Sequence, residues 1–120
     1  MTARLLLLLA LALGGGAAAA QEVASAPGAI LRGLDKVSGA TEDIEIAAGE
    51  SMAFGRLIVS LTDCRYPAAD PSANAYAHLT ITDRAAGTVE FDGWMIASSP
   101  ALSALDDPRY DVWLLRCKSS

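Results

Sequence analysis

Apolar and polar residues alternate along most of this chain, which is the period of half-buried β-strands. Thr41–Ala47 places Ile44 and Ile46 on one face and Asp43 and Glu45 on the other. Ala48-Gly49-Glu50 supplies a turn, and Met52 and Phe54 alternate beyond it until Gly55. Arg56–Cys64 sets Leu57, Val59 and Leu61 against Ile58, Ser60 and Thr62. Tyr76–Thr82 points Ala77, Leu79 and Ile81 inward, and Tyr76, His78, Thr80 and Thr82 outward. Thr88–Asp92 puts Val89 and Phe91 in and Glu90 out; with the turn at 83–87 this reads as a hairpin. Ile30–Lys36 is a first strand and Tyr110–Cys117 a last one. The last strand is apolar on nearly both sides, so it is expected to be central. Six or seven short antiparallel strands with regular turn signals predict a mainly β domain, a small sandwich or barrel.

The pattern changes after Gly93. Trp94-Met95-Ile96 is too continuously apolar for a strand with one wet face. Ser99-Pro100 reads as a helix cap with proline at the first helical position. Leu102 and Leu105 lie one helical turn apart, and Asp106-Asp107-Pro108 closes the segment. One short helix near the C-terminus is therefore expected.

The N-terminus is of another kind. Arg4, the apolar run from Leu5 to Leu13 and small residues up to Ala20 form a secretory signal-peptide pattern, with cleavage expected before Gln21. Residues 1–20 are read as signal, 21–28 as a disordered leader and 29–120 as one β-rich domain. Export to the periplasm follows as an expectation, with no transmembrane anchor after cleavage.

An exported chain changes the reading of Cys64 and Cys117, the two cysteines. They are expected to pair, since an oxidising compartment favours disulfides and two cysteines allow one connectivity. Cys64 falls on the Ser60/Thr62 parity. Either the disulfide lies on the outer face, or a bulge near Asp63 turns the cysteine inward. The bulge is preferred, because Asp63 otherwise lands on the core face. Trp113 shares parity with Cys117 and is expected to pack on the disulfide.

Charge and motif content narrow the chemistry. The formal net charge is -5, which argues against nucleic-acid partners. One histidine cannot complete a Cys/His zinc site, and no phosphate-cradling glycine motif is present. No cofactor and no metal are expected. Asp106, Asp107 and Asp111, or Asp70 with Asn74, offer oxygen ligands of the kind calcium takes, but read better as a solvated acidic surface. His78 is the one general base of the usual kind, with Ser98, Ser99 or Ser103 as nucleophiles for a small hydrolase; Ser98-Ser99 reads better as a cap.

The segments Leu34-Asp35-Lys36-Val37-Ser38-Gly39, Phe54-Gly55-Arg56-Leu57, Cys64-Arg65 and Gly93–Cys117 resemble an uncharacterised family of exported proteins from Gram-negative bacteria, domain of unknown function number twenty-one fifty-five. The resemblance runs from about Ala29 to Cys117. It implies a periplasmic setting and supplies no catalytic residues. It also implies that a histidine can stand at the position of Asp107, which argues against a required acid there. The function expected is a noncatalytic module that binds a protein or another envelope component through the 93–117 block, with Trp94, Met95, Leu102 and Tyr110 as contact residues. The alternatives are the hydrolase built on His78 and a cell-wall glycan binder built on Trp94.

Overall fold

The computed structural model describes residues 22–119. The expected signal peptide lies outside the described residues. Eight strands run in the order β1 Val23–Ala26, β2 Gly28–Asp35, β3 Thr41–Ala47, β4 Ser51–Phe54, β5 Leu57–Pro67, β6 Tyr76–Asp83, β7 Thr88–Ile96 and β8 Tyr110–Lys118. One sheet has the order β1-β5-β6-β7, with β4 also on β5; the other has the order β3-β2-β8. Every pairing is antiparallel. No helix among the described residues is long and apolar enough to cross a membrane.

Two sequence expectations need correction here. Part of the stretch expected as a disordered leader is strand: Val23–Ala26 pairs with Cys64–Pro67. The alternation Val23, Ala24, Ser25, Ala26 is too weakly apolar to announce a strand, and backbone pairing with β5 decides it. The expected helix is a 3-10 turn, Pro100–Leu102, whose Ser99 makes no side-chain cap bond. Acidic residues at its C-terminal side oppose a longer helix.

The core lies between the sheets. Leu31, Ile46, Leu57, Val59, Leu61, Leu79, Ile81, Val112 and Leu114 are essentially sealed from solvent. Burying each such side chain stabilises by roughly 1.5–3 kcal/mol. β8 is not central: it pairs only with β2. β3 forms the other margin of that sheet and exposes Glu42, Asp43 and Glu45.

Three bulges interrupt the ladders. In β5, Leu61 faces Leu79 and Asp63 faces His78, so Thr62 is extra. In β8, Arg116 faces Ile30 and Leu114 faces Leu31, so Leu115 is extra. In β7, Phe91 faces Ile81 and Val89 faces Thr82, so Glu90 is extra. An extra residue shifts the inside–outside alternation by one. The first bulge is the one the sequence called for, and Cys64 is fully buried. The second returns Cys117 to the inner side of β8, and the Cys64–Cys117 disulfide joins the two sheets with Cα atoms 5.8 Å apart.

The same shifts correct three placements. Trp113 stays on the outer face of β8 with Asp111, half-buried against Pro100, Ala101 and Ala104, and does not share the disulfide's side. Val89 is 62% exposed. Trp94-Met95-Ile96 continues β7, with Met95 in the core.

Candidate functional surface

The outer face of the β5-β6-β7 sheet carries an ordered row of side chains. β6 and β7 set His78 opposite Trp94. Their rings meet edge to face with centroids 5.2 Å apart. Arg65 of β5 lies over the Trp94 ring, its guanidinium carbon 4.9 Å from the centroid. Cation–π geometry of this kind contributes about 0.5–1 kcal/mol at an exposed site. Arg65 is held in turn by Asp63, whose Oδ2 accepts from its Nε at 2.7 Å. His78 Nε2 lies 3.6 Å from Asp92 Oδ1, which also accepts from the Thr80 hydroxyl at 3.2 Å. Trp94 is therefore a fixed side chain that still keeps 39% of its surface in water.

A groove lies apart from this row, and none of the row's side chains lines it. Asn74 donates to the Ser98 hydroxyl at 2.9 Å and accepts from the Ser98 and Ala75 backbone amides. Both residues line an open groove of about 910 Å³ beside the disulfide. Pro27, Ile30, Tyr66, Pro71 and Leu115 give it apolar walls, with the Lys118–Glu45 ion pair also on its lining.

The four expected contact residues divide evenly. Trp94 is exposed, and Leu102 is 78% exposed on the 3-10 turn. Met95 and Tyr110 are buried at 2% and 4%, so neither offers a contact surface. Met95 alternates inward from Trp94 along β7, and the Tyr110 ring packs edge-on against Phe54 at 5.6 Å. Sequence reading missed Arg65, because no local pattern marks a cation two strands earlier in the chain that will reach Trp94.

Among the described residues His78 makes no hydrogen bond to the serines named from the sequence, and its Nδ1 is buried without a partner. Its polar neighbour is Asp92, while Ser98 bonds Asn74.

A second cluster sits inside, between β7 and the entry to β8. Carboxylate oxygens of Asp83, Glu90 and Asp107 all lie within 4.8 Å of one another. Asp83 and Asp107 are buried, and Glu90 Oε2 is sealed from solvent without a hydrogen-bond partner. Asp107 Oδ1 accepts from the Arg109 and Tyr110 amides, each at 2.8 Å. Asp83 Oδ1 accepts from the Ala85 and Ala86 amides at 2.8 and 3.0 Å. Glu90 is pushed up to about 7, first by its hydrogen bond to Asp107, then by burial and the neighbouring negative charges. Burial raises the Asp107 carboxyl too, but the bonds from Glu90 and the two amides outweigh it and hold Asp107 below the usual range. Carboxyls this close disfavour ionising together, and the proton is favoured on Glu90. The acids grouped from the sequence, Asp106, Asp107 and Asp111, are not the ones the fold brings together. Glu90 reads as outward by alternation, and the bulge alone turns it in.

A sequence profile described as an uncharacterized protein conserved in bacteria (DUF2155) matches residues 29–117. The chain is also similar to the uncharacterized protein RP359 of Rickettsia prowazekii (strain Madrid E), with 31% identity over 87 residues. The match spans 70% of this chain and 56% of that protein, so the likeness covers only about half of the relative's length. No solved structure matches.

Proposed function

The chain belongs to the DUF2155 family of uncharacterised bacterial proteins, and from that premise we propose that it is an exported, noncatalytic module that binds an envelope protein through the sheet face centred on Trp94. The observation that carries this reading is the exposed Trp94 ring fixed between Arg65 and His78. A tryptophan with no binding task gains more by burial in the core. Here it is held rigid at the surface, so little side-chain entropy is lost when a partner covers it. Tryptophan, arginine and tyrosine are also the side chains that dominate binding energy at protein interfaces. Arg65 and Tyr76 flank Trp94 on the same face. The Cys64–Cys117 disulfide supports a periplasmic location, because such bonds persist in oxidising compartments.

The test is crosslinking in the cell, with tagged wild-type protein beside Trp94→Ala and recovery of envelope partners for mass spectrometry. One stoichiometric protein partner, lost in the variant, is the expected result. Equal recovery with both proteins would overturn the reading. Absence of any protein partner, together with quenching of tryptophan fluorescence by cell-wall glycans, would replace the protein by a saccharide.

A further inference from the structure

The 97–109 segment crosses between β7 and β8 and is anchored at its ends, by Ser98 on Asn74 and by Asp107 and Arg109 at the entry to β8. Its one regular turn is three residues long and lacks a side-chain cap. Pro100, Ala101, Leu102, Ala104 and Asp106 are exposed. Leu105, 5% exposed, inserts into the core. The exit is fixed by Asp107, whose carboxylate takes the Arg109 and Tyr110 amides and whose carbonyl accepts from Lys36 Nζ at 2.8 Å.

Asp107 keeps that place only while its neighbours permit it. Glu90 and Asp83 bring two further carboxyls within 4.8 Å. Facing charges are few. Arg56, from the β4–β5 turn, lies 3.7 Å from Asp83 Oδ2. Arg109 is engaged by Asp35, 3.0 Å away, and so points its charge at β2. Lys36 reaches the Asp107 carbonyl rather than the carboxylate. The Tyr110 ring lies beside Gly55 and Arg56. One nearby cation does not balance three ionised acids, whose mutual repulsion is strong where water is excluded.

We propose that the Glu90–Asp107 carboxyl pair, pressed by Asp83, is a proton latch that holds the 97–109 segment against β7 while the pair keeps its proton and releases it when the proton is lost. The inference stands on this geometry and not on the binding role of Trp94. The elevated Glu90 carboxyl supports it and sets the direction. A carboxyl raised in the folded state contributes stability that is complete below its ordinary value and lost as pH rises through about 7. Asp107, lowered in the fold, contributes the opposite way, and its share disappears as pH falls through its folded value. The latch is therefore closed in a mildly acidic window and opens on the alkaline side. Opening uncovers Leu105 and frees Leu102 to move.

The experiment follows the amide resonances of Arg109 and Tyr110 by NMR, with exchange protection of residues 97–110, between pH 5 and 9. Wild-type protein is expected to show both amides shifting together with a midpoint near 7, and opening about tenfold more favourable for each pH unit between the ordinary carboxyl value and about 7, levelling off above it. Glu90→Gln, which cannot lose the proton, should keep the segment closed across the whole range. Asp83→Asn should move the midpoint down. Flat wild-type resonances, or a Glu90→Gln protein that opens at the same pH, would overturn the latch. Should Glu90→Gln fail to fold, the wild-type profile alone decides the matter.

Discussion

Cys64 and Cys117 occupy the same place relative to a fault in their strands: each follows by two residues the extra residue of a bulge, Thr62 in β5 and Leu115 in β8. Both sulfurs reach the space between the sheets because of those insertions. Strict alternation in β8 would put Cys117 on the outer face with Trp113. The bond closes a loop across 53 positions and fastens two strands from different sheets. Reduction, or Cys64→Ser with Cys117→Ser, is expected to cost roughly 2–5 kcal/mol. Urea denaturation with and without reductant measures it, and an unchanged midpoint would contradict a structural role.

Trp94 and Met95 are adjacent in sequence and opposite in consequence. Met95→Ala hollows the core and should destabilise by about 2–5 kcal/mol. Trp94→Ala removes a half-exposed ring with one cation–π contact and one edge contact, and should cost no more than about 1–2 kcal/mol. Thermal unfolding of the two variants side by side distinguishes them. An equal loss of stability would mean that Trp94 is a structural residue.

Gly55 permits the close approach of Tyr110. Its φ is +55°, and a Cβ there would run into the Tyr110 ring. Gly39 has a φ of +77° with open space around it. Gly39→Ala should therefore cost about 1–2 kcal/mol from the backbone alone. Gly55→Ala should cost distinctly more, since the ring must move as well. Matched denaturation curves test the order, and a reversed order would remove the steric argument.

Arg109 holds the Asp35 carboxyl below the usual carboxylate range, chiefly through its hydrogen bond to it. That contribution to stability is present above the ordinary carboxyl value and disappears as pH falls through the lowered one. Arg109→Met should raise the Asp35 midpoint toward the ordinary value. A carbon-detected NMR titration of the Asp35 carboxyl reads this directly, and an unmoved midpoint would refute the assignment.

The strands were legible because period-2 alternation is a local property. Thr41–Ala47 and Tyr76–Thr82 appear in the fold nearly as their patterns predict, and the preference for a bulge before Cys64 follows from one misplaced aspartate. What alternation could not reveal is where else it breaks. Glu90 between Val89 and Phe91 looks like any outward acid, and nothing local marks it as the inserted residue. Trp113 was misplaced relative to the disulfide for the same reason: the bulge at Leu115 moves Cys117, and not Trp113, to the other face. β8 read as central because both of its sides are apolar. In the fold its outer side meets the 97–109 segment and the groove instead of a neighbouring strand. Trp94 and Leu102, two of the four residues named as contacts, are exposed, while Arg65 depended on three strands coming together.

The acidic margin of β3 has a bearing on how these molecules meet one another. A free strand edge invites a second chain to extend the sheet, and Glu42, Asp43 and Glu45 line this one. Along that margin Asp43 pairs with Arg32 and Glu45 with Lys118, so a second chain would have to dock against a row of charged and hydrated side chains. Charged side chains on a strand edge disfavour edge-to-edge pairing, so stacking of copies into sheets or fibres is discouraged along that side without a dedicated cap.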